Sequence, residues 1–175
     1  MIRSLVLRQI DAAERALGEG CEGSMDYLRH ILGVSLGAFM KFYRFVGVSS
    51  YRSALGREPF HVARIVATLE EDCGTCVQMA VNMARQDGVS VEVLRACVDR
   101  RPDDLSEDLR DVYRFTEEVV QATWGEDELR DTLRKRLGEE AFVELAMAIA
   151  TCRVYPIAKR ALGHAKSCRM VTVTV

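Results

Sequence analysis

The sequence has few residues that interrupt a helix and no surplus of either charge. Only three prolines occur among its 175 residues, and proline is the residue that most strongly ends a helix. The 24 basic and 26 acidic residues leave a net charge of -2. Nucleic acids and anionic membranes are bound through basic patches, which such a balance does not favour. We therefore expect no nucleic-acid partner.

Long apolar runs are also missing from the sequence. No uncharged apolar stretch approaches the ~20 residues that cross a bilayer. The first helix-like segment carries Arg3, Arg8 and Asp11 between its apolar positions, so it lacks the apolar core of a signal peptide. These features predict no membrane partner and a cytoplasmic location.

Cysteine is more frequent, with six residues, but the pattern does not suggest a disulfide framework. Such frameworks belong to short secreted chains, and this chain is neither short nor evidently secreted. A cysteine that stands alone among apolar neighbours usually packs as a small hydrophobic residue. That interpretation applies to three of them, Cys21, Cys97 and Cys152. Two others form the close pair C-x-x-C.

Apolar residues recur with the period of a helix. A first stripe steps by three or four positions through Ile2, Val6, Ile10, Ala13 and Leu17. Residues 139–162 form a long and very apolar segment, in which Pro156 predicts a kink because it lacks the N–H of a helical hydrogen bond. Only the end of the chain, MVTVTV, alternates with period two, and it predicts a short strand or a tail that pairs with another subunit. We predict one all-α domain over residues 1–175, with about eight helices.

The C-x-x-C motif lies in the stretch EEDCGTCVQMAVN, at residues 70–82. With Asp72 as the N-cap, Cys73 takes the first helical position and Cys76 the fourth, so both sulfurs lie on one face and can form a disulfide. A helix N-terminus favours the reactive thiolate, whereas the neighbouring Glu70, Glu71 and Asp72 oppose it. A redox dithiol, half of a metal site and two packed side chains all remain open.

The surroundings of this motif resemble a known family. The stretch HVARIVATLEEDCGTCVQMAVNMARQDGVSVEVLRAC is similar to the core of the carboxymuconolactone decarboxylase and alkylhydroperoxidase D-like family. DLRDVYRFTEEVVQ and GEEAFVELAMAIATCRVYPIAKRALG are similar to the helices that follow in that family. The resemblance covers about residues 59–163, and residues 1–50 look like the lead-in of longer members. It implies an alkylhydroperoxidase D-like helical domain with a C-x-x-C at a helix N-terminus.

The resemblance also implies an activity and roles for the cysteines. In the family the second cysteine attacks a peroxide and the first resolves the product. Carried over, Cys76 would form the sulfenic acid and Cys73 the disulfide, and an external dithiol would restore both thiols. The implied protein is a thiol–disulfide oxidoreductase and homo-oligomer that acts on a peroxide or disulfide substrate. It requires no bound cofactor and no metal.

Three positions depart from the family pattern. The family has a glutamate twelve residues before its first cysteine, where this sequence has His61. It has a histidine four residues after its second cysteine, where this sequence has Ala80. It often has another histidine directly before the second cysteine, and this position holds Thr75. Since those groups move protons in the family, their replacement predicts weak peroxide reduction.

His61 could act as a general base near the dithiol, or lie on a helix surface. Glu71 could relay protons to Cys73, or be a solvated carboxylate.

Two rival interpretations belong to other classes of protein. One is a non-catalytic helical domain that uses the same scaffold for oligomerisation or partner binding. The other is a zinc-stabilised structural protein, in which His164 and Cys168 would complete a four-ligand site with Cys73 and Cys76. Free-thiol titration and metal analysis separate these interpretations from the redox one.

Overall fold

The described part of the chain is built from helices. The structure is a computed structural model that describes residues 2–123, 126–165 and 175. Its helices are α1 Ile2–Ala16, α2 Asp26–Val34, α3 Leu36–Tyr43, α4 Phe45–Ser49, α5 Arg57–Leu69, α6 Gly74–Gln86, α7 Val91–Val98, α8 Glu107–Gln121, α9 Glu126–Leu137, α10 Glu139–Cys152 and α11 Val154–Ala161, with a 3-10 turn at Pro102–Asp104. The predicted all-α class is confirmed. The strand predicted at residues 170–175 lies, apart from Val175, outside the described residues.

Local sequence signals explain several helix boundaries. The hydroxyl of Ser35 accepts the N–H of Ala38 at the start of α3, as expected of an N-cap. Gly88 follows α6 with a positive φ of 85°, a conformation in which a side chain would be strained. The long apolar segment is divided at Arg153, one turn before Pro156. Pro156 has no N–H for the carbonyl of Cys152, which accounts for the break.

The main core surrounds α5. This helix packs against α6, α8 and α10, and five of its apolar side chains are fully buried, namely Val62, Ala63, Ile65, Val66 and Ala67. The facing helices contribute further buried side chains to the same cluster, including Val77, Val81, Val112, Phe115, Leu145 and Ile149. Burial of each larger aliphatic side chain contributes about 1.5 to 3 kcal/mol. The core therefore fixes the α5–α6 hairpin, which carries the C-x-x-C motif in its turn.

A second cluster is formed by the N-terminal helices. Its buried members are Ile10, Tyr27, Leu28, Leu32 and Phe39, from α1, α2 and α3. Tyr155 and Ala158 of α11 pack against it. The helix α11 consequently joins the N-terminal helices to the turn between α5 and α6.

One stretch among the described residues has the length and composition of a membrane span. It runs over Glu139–Ala161, with a mean hydropathy of 1.4 in its most apolar window. In the fold, its first part supplies Leu145 and Ile149 to the main core. The buried carboxylate of Glu144 also accepts three backbone N–H groups, from residues 53–55. The α10 part of the segment therefore belongs to the main core, where it packs against α5.

Candidate functional site

The two cysteines of the motif lie in the turn between α5 and α6. Cys73 is the N-cap of α6 and Cys76 is its third residue, so the helix begins one residue later than predicted. The reason is the backbone of Asp72, whose φ of 49° is left-handed and ends the turn. The Sγ atoms of Cys73 and Cys76 lie 2.7 Å apart. The sulfurs are thus placed to form a disulfide bond, as the spacing predicts.

Each sulfur faces a different cavity. Both cysteines are buried, with 3% of Cys73 and 8% of Cys76 exposed. Cys76 lines a cavity of about 350 Å³ between the N-terminal helices and α5, α6 and α11. Cys73 lines a second cavity, together with Glu71, Pro156 and Arg160. A molecule in one cavity can therefore reach one thiol while the other thiol stays accessible from the second cavity.

A buried lysine supplies positive charge beside the cysteines. Lys159 of α11 is only 2% exposed, and its ammonium group donates a hydrogen bond to the hydroxyl of Thr75 at 3.3 Å. The same ammonium lies 5.6 Å from the ring centroid of Tyr27, an attractive cation–π geometry. The hydroxyl of Thr75 is 3.7 Å from the Sγ of Cys73. Within the described residues no carboxylate pairs with Lys159, so a thiolate is its nearest source of negative charge.

The pair of thiols shares one proton. The pKa of Cys73 is lowered to about 5, first by its hydrogen bond with the Cys76 thiol and then by the charge of Lys159, although burial raises it. The pKa of Cys76 is raised, because its proton is held in the hydrogen bond with the Cys73 sulfur and because Cys76 is buried. Cys73 is therefore the more acidic of the two thiols.

The acidic residues before the motif do not suppress the thiolate as expected. The carboxylate of Glu71 is 5% exposed and pairs with Arg153 at 2.6 Å and Arg160 at 3.0 Å. Glu70 accepts from Arg100. The interpretation of Glu71 as a solvated carboxylate is wrong, since two guanidinium groups enclose it. Glu71 instead ties the cysteine turn to α11, and no contact with Cys73 supports a proton relay.

His61 lies at the other end of the helical hairpin. Its Nε2 is 3.1 Å from the carboxylate of Asp87, the C-cap of α6. Cys76 stands eleven residues before Asp87, which corresponds to about 16 Å along α6. Burial, followed by the charge of Arg64, lowers the pKa of His61 to about 4, against the effect of Asp87. The structure therefore does not bring His61 to the dithiol, and it places this imidazole in the interior rather than on a helix surface.

The structure describes Ala80 and His164, but not Cys168, among the other residues proposed as proton relays or zinc ligands. Ala80 lies one turn after Cys76, is 7% exposed and lines the same cavity. His164 lies beside His30, with 2.9 Å between ring nitrogens. Cys168, the fourth zinc ligand of the rival interpretation, lies outside the described residues. Among those that are described, no group of three or more histidine, cysteine, aspartate or glutamate side chains could hold a metal ion.

Sequence reasoning missed Lys159, although one signal was present. Cys152, Pro156 and Lys159 recur at helical spacing, so the lysine falls on the face that the pattern assigns to the core. A lysine on such a face is rare and indicates a buried polar or charged partner. Arg64, which precedes the motif more closely in sequence, lines the cavity shared with Cys76.

Comparison with known proteins leaves the family of this chain unassigned. No family model matches the sequence. Searches of curated proteins and of solved structures likewise find no match. A function can therefore be inferred only from the geometry of the site.

Proposed function

We propose that the protein is a thiol–disulfide oxidoreductase whose redox centre is the pair Cys73 and Cys76. The observation that carries the proposal is the 2.7 Å separation of the two sulfurs beside the buried ammonium of Lys159. A thiolate is the nucleophile in thiol chemistry, and a buried cation stabilises it. This arrangement also explains why an unpaired lysine stands in the interior.

With a hydroperoxide as substrate, the reaction proceeds in two steps. A thiolate attacks the terminal peroxide oxygen, the O–O bond breaks and the departing alkoxide takes up a proton to leave as an alcohol. The attacking cysteine is then a sulfenic acid. The second thiol displaces its hydroxyl group as water, and the disulfide forms. Two electrons have passed from the dithiol to the peroxide, and an external dithiol returns them with two protons.

The expected context of this chemistry follows from the sequence. The substrate is a peroxide or a small disulfide, the reductant is an external dithiol and no bound cofactor takes part. A cytoplasmic, homo-oligomeric protein without a nucleic-acid or membrane partner fits this activity. Peroxide reduction is expected to be weak, because the residues at the relay positions are His61, Thr75 and Ala80.

Equilibration in redox buffers tests the proposal. Mass spectrometry of alkylated peptides should show a Cys73–Cys76 disulfide that forms under mild oxidation and reopens with a dithiol. Cys97, which is fully buried on α7, provides the internal control and should stay reduced. If neither Cys73 nor Cys76 reacts in the native protein, the redox function is excluded and a non-catalytic helical scaffold takes its place.

A further inference from the structure

The cavity that Cys76 lines also contains Arg64, which has no counter-charge among the described residues. Arg64 lies in the middle of α5, and its Nε atom is enclosed without a hydrogen-bond partner among the described residues. Its guanidinium lies 5.1 Å from the ring centroid of Phe60, and no ion pair to it occurs in that part of the chain. A buried charge without a partner is costly. A bound anion would therefore stabilise Arg64, and the described residues do not supply one.

The groups around Arg64 do not provide that anion. Cys152 and Tyr155 are the neighbouring groups that would act on Arg64 if they were negatively charged. Burial raises the pKa of Cys152 to about 11 and also raises the pKa of Tyr155. Both groups are consequently neutral at physiological pH, and Arg64 remains an uncompensated cation at the cavity wall.

The rest of the cavity is mostly apolar, with Lys159 as a second cation beside Cys76. Its lining includes Leu28, Phe39, Met79 and Met83, with Arg64 in the same wall. The hairpin is antiparallel, with His61 against Asp87, so Arg64 lies level with the last turns of α6. Cys76 is in the first turn, and Met83 follows seven residues later, about 10 Å along the helix. The cavity thus extends from the guanidinium at one end to the dithiol at the other.

We propose that this cavity binds an apolar monocarboxylate, with its carboxylate on Arg64 and its hydrocarbon chain directed along Met79 and Met83 toward Cys76. A guanidinium binds a carboxylate through paired, charge-assisted hydrogen bonds. Methionine side chains adapt to flexible apolar ligands. A volume of about 350 Å³ lies at the small end of the range for small-molecule sites, which suits a medium-length chain. This binding does not depend on redox activity of the dithiol.

Isothermal titration calorimetry with decanoate tests the proposal on the reduced protein. Wild type should bind decanoate, and Arg64→Met should weaken binding by at least ~10-fold, since hydrogen bonds to a charged group are lost. The matched control is Arg95→Met, which removes an exposed arginine of α7 and should bind as wild type does. The neutral analogue 1-decanol should bind weakly, and with the same affinity to wild type and to Arg64→Met.

A second variant locates the ligand independently of Arg64. Met83→Trp fills the middle of the cavity and should abolish decanoate binding, while circular dichroism confirms the fold. Absence of decanoate binding to wild type overturns the proposal. So does equal affinity of wild type for decanoate and 1-decanol, or unchanged binding by Met83→Trp. Each of these results leaves the disulfide chemistry untouched, because that chemistry is measured separately by alkylation.

Discussion

The ammonium of Lys159 donates to the hydroxyl of Thr75, the residue that stands directly before Cys76. A cation from α11 thus reaches the turn between α5 and α6 through a hydroxyl group. This cation comes from a distant part of the sequence rather than from a neighbour in the C-x-x-C motif.

Lys159→Met should make the dithiol less acidic. Removal of the ammonium leaves the thiolate of Cys73 without its cation, so its pKa should rise from about 5 by about one to three units. In wild type, the rate of alkylation should be nearly constant above neutral pH and fall as the pH drops through about 5. Stopped-flow alkylation across pH measures both profiles. Lys135→Met, at an exposed position of α9, should leave the profile unchanged.

Limiting iodoacetamide should label Cys73 before Cys76. The low pKa of Cys73 places the thiolate there, and the second cavity gives access to it. Tandem mass spectrometry distinguishes the two positions within one peptide. The family resemblance instead implies that Cys76 is the attacking residue. Predominant labelling of Cys76 would support that assignment and refute Cys73 as the more reactive thiol.

Ala80→His should accelerate peroxide reduction, whereas His61→Gln should not slow it by more than ~2-fold. A histidine at position 80 would stand one turn after Cys76, where it can accept the proton of that thiol as it attacks the sulfenic acid on Cys73; such groups contribute ~10²-fold or more. His61 is held at the opposite end of α6 by Asp87. Peroxide consumption assays measure both variants, with the double variant Cys73→Ser/Cys76→Ser as the inactive control. A strong loss of rate in folded His61→Gln would contradict the proposed position of this residue outside the reaction.

Glu71→Gln should lower the free energy of unfolding by about 1 to 3 kcal/mol, because the buried hydrogen bonds to Arg153 and Arg160 lose their charge. Urea denaturation measures the change. Glu139→Gln is the matched control, since its ion pair with Arg134 is exposed and such pairs contribute ~1 kcal/mol or less. Equal effects of the two substitutions would show that Glu71 does not anchor the cysteine turn to α11.

The protein should form homo-oligomers through its N-terminal helices. Large apolar side chains are exposed on α1 to α4, among them Ile2, Val34 and Tyr43 at 66%, 74% and 52%, and such exposure is typical of an interface. Light scattering should detect an oligomer that Val34→Lys shifts toward monomer. Val143→Lys, at a 53% exposed position of α10, should not do so. A monomer at every concentration of wild type would refute this prediction.

The sequence predicted the helices well because their signals are local. Apolar spacing, glycine after α6 and the proline in the last segment each act within one or two turns. The C-x-x-C spacing similarly predicted the approach of Cys73 and Cys76, since residues three apart share a helix face. The N-cap of α6 lies one residue later than predicted, because the backbone of Asp72 is left-handed. Amino-acid composition does not predict that conformation.

The charges of the site were not predictable in the same way. Whether Glu71 faces water or Arg153 depends on how α11 packs against the turn, which no local pattern specifies. Arg64 precedes the motif closely in sequence, yet the antiparallel hairpin places it away from the cysteines. Charge pairing between distant elements is a property of the tertiary fold, and only the structure assigned Lys159 to the dithiol.

Because α11 lies after the cysteines in the sequence, it is also synthesised after them. The ribosome completes both cysteines long before it adds Arg153, Lys159 and Arg160, the three cations that reach the turn between α5 and α6. Until α11 docks, the nascent thiols lack their buried cation and keep a higher pKa. The thiol reactivity that we propose therefore depends on a helix that the ribosome adds after both cysteines.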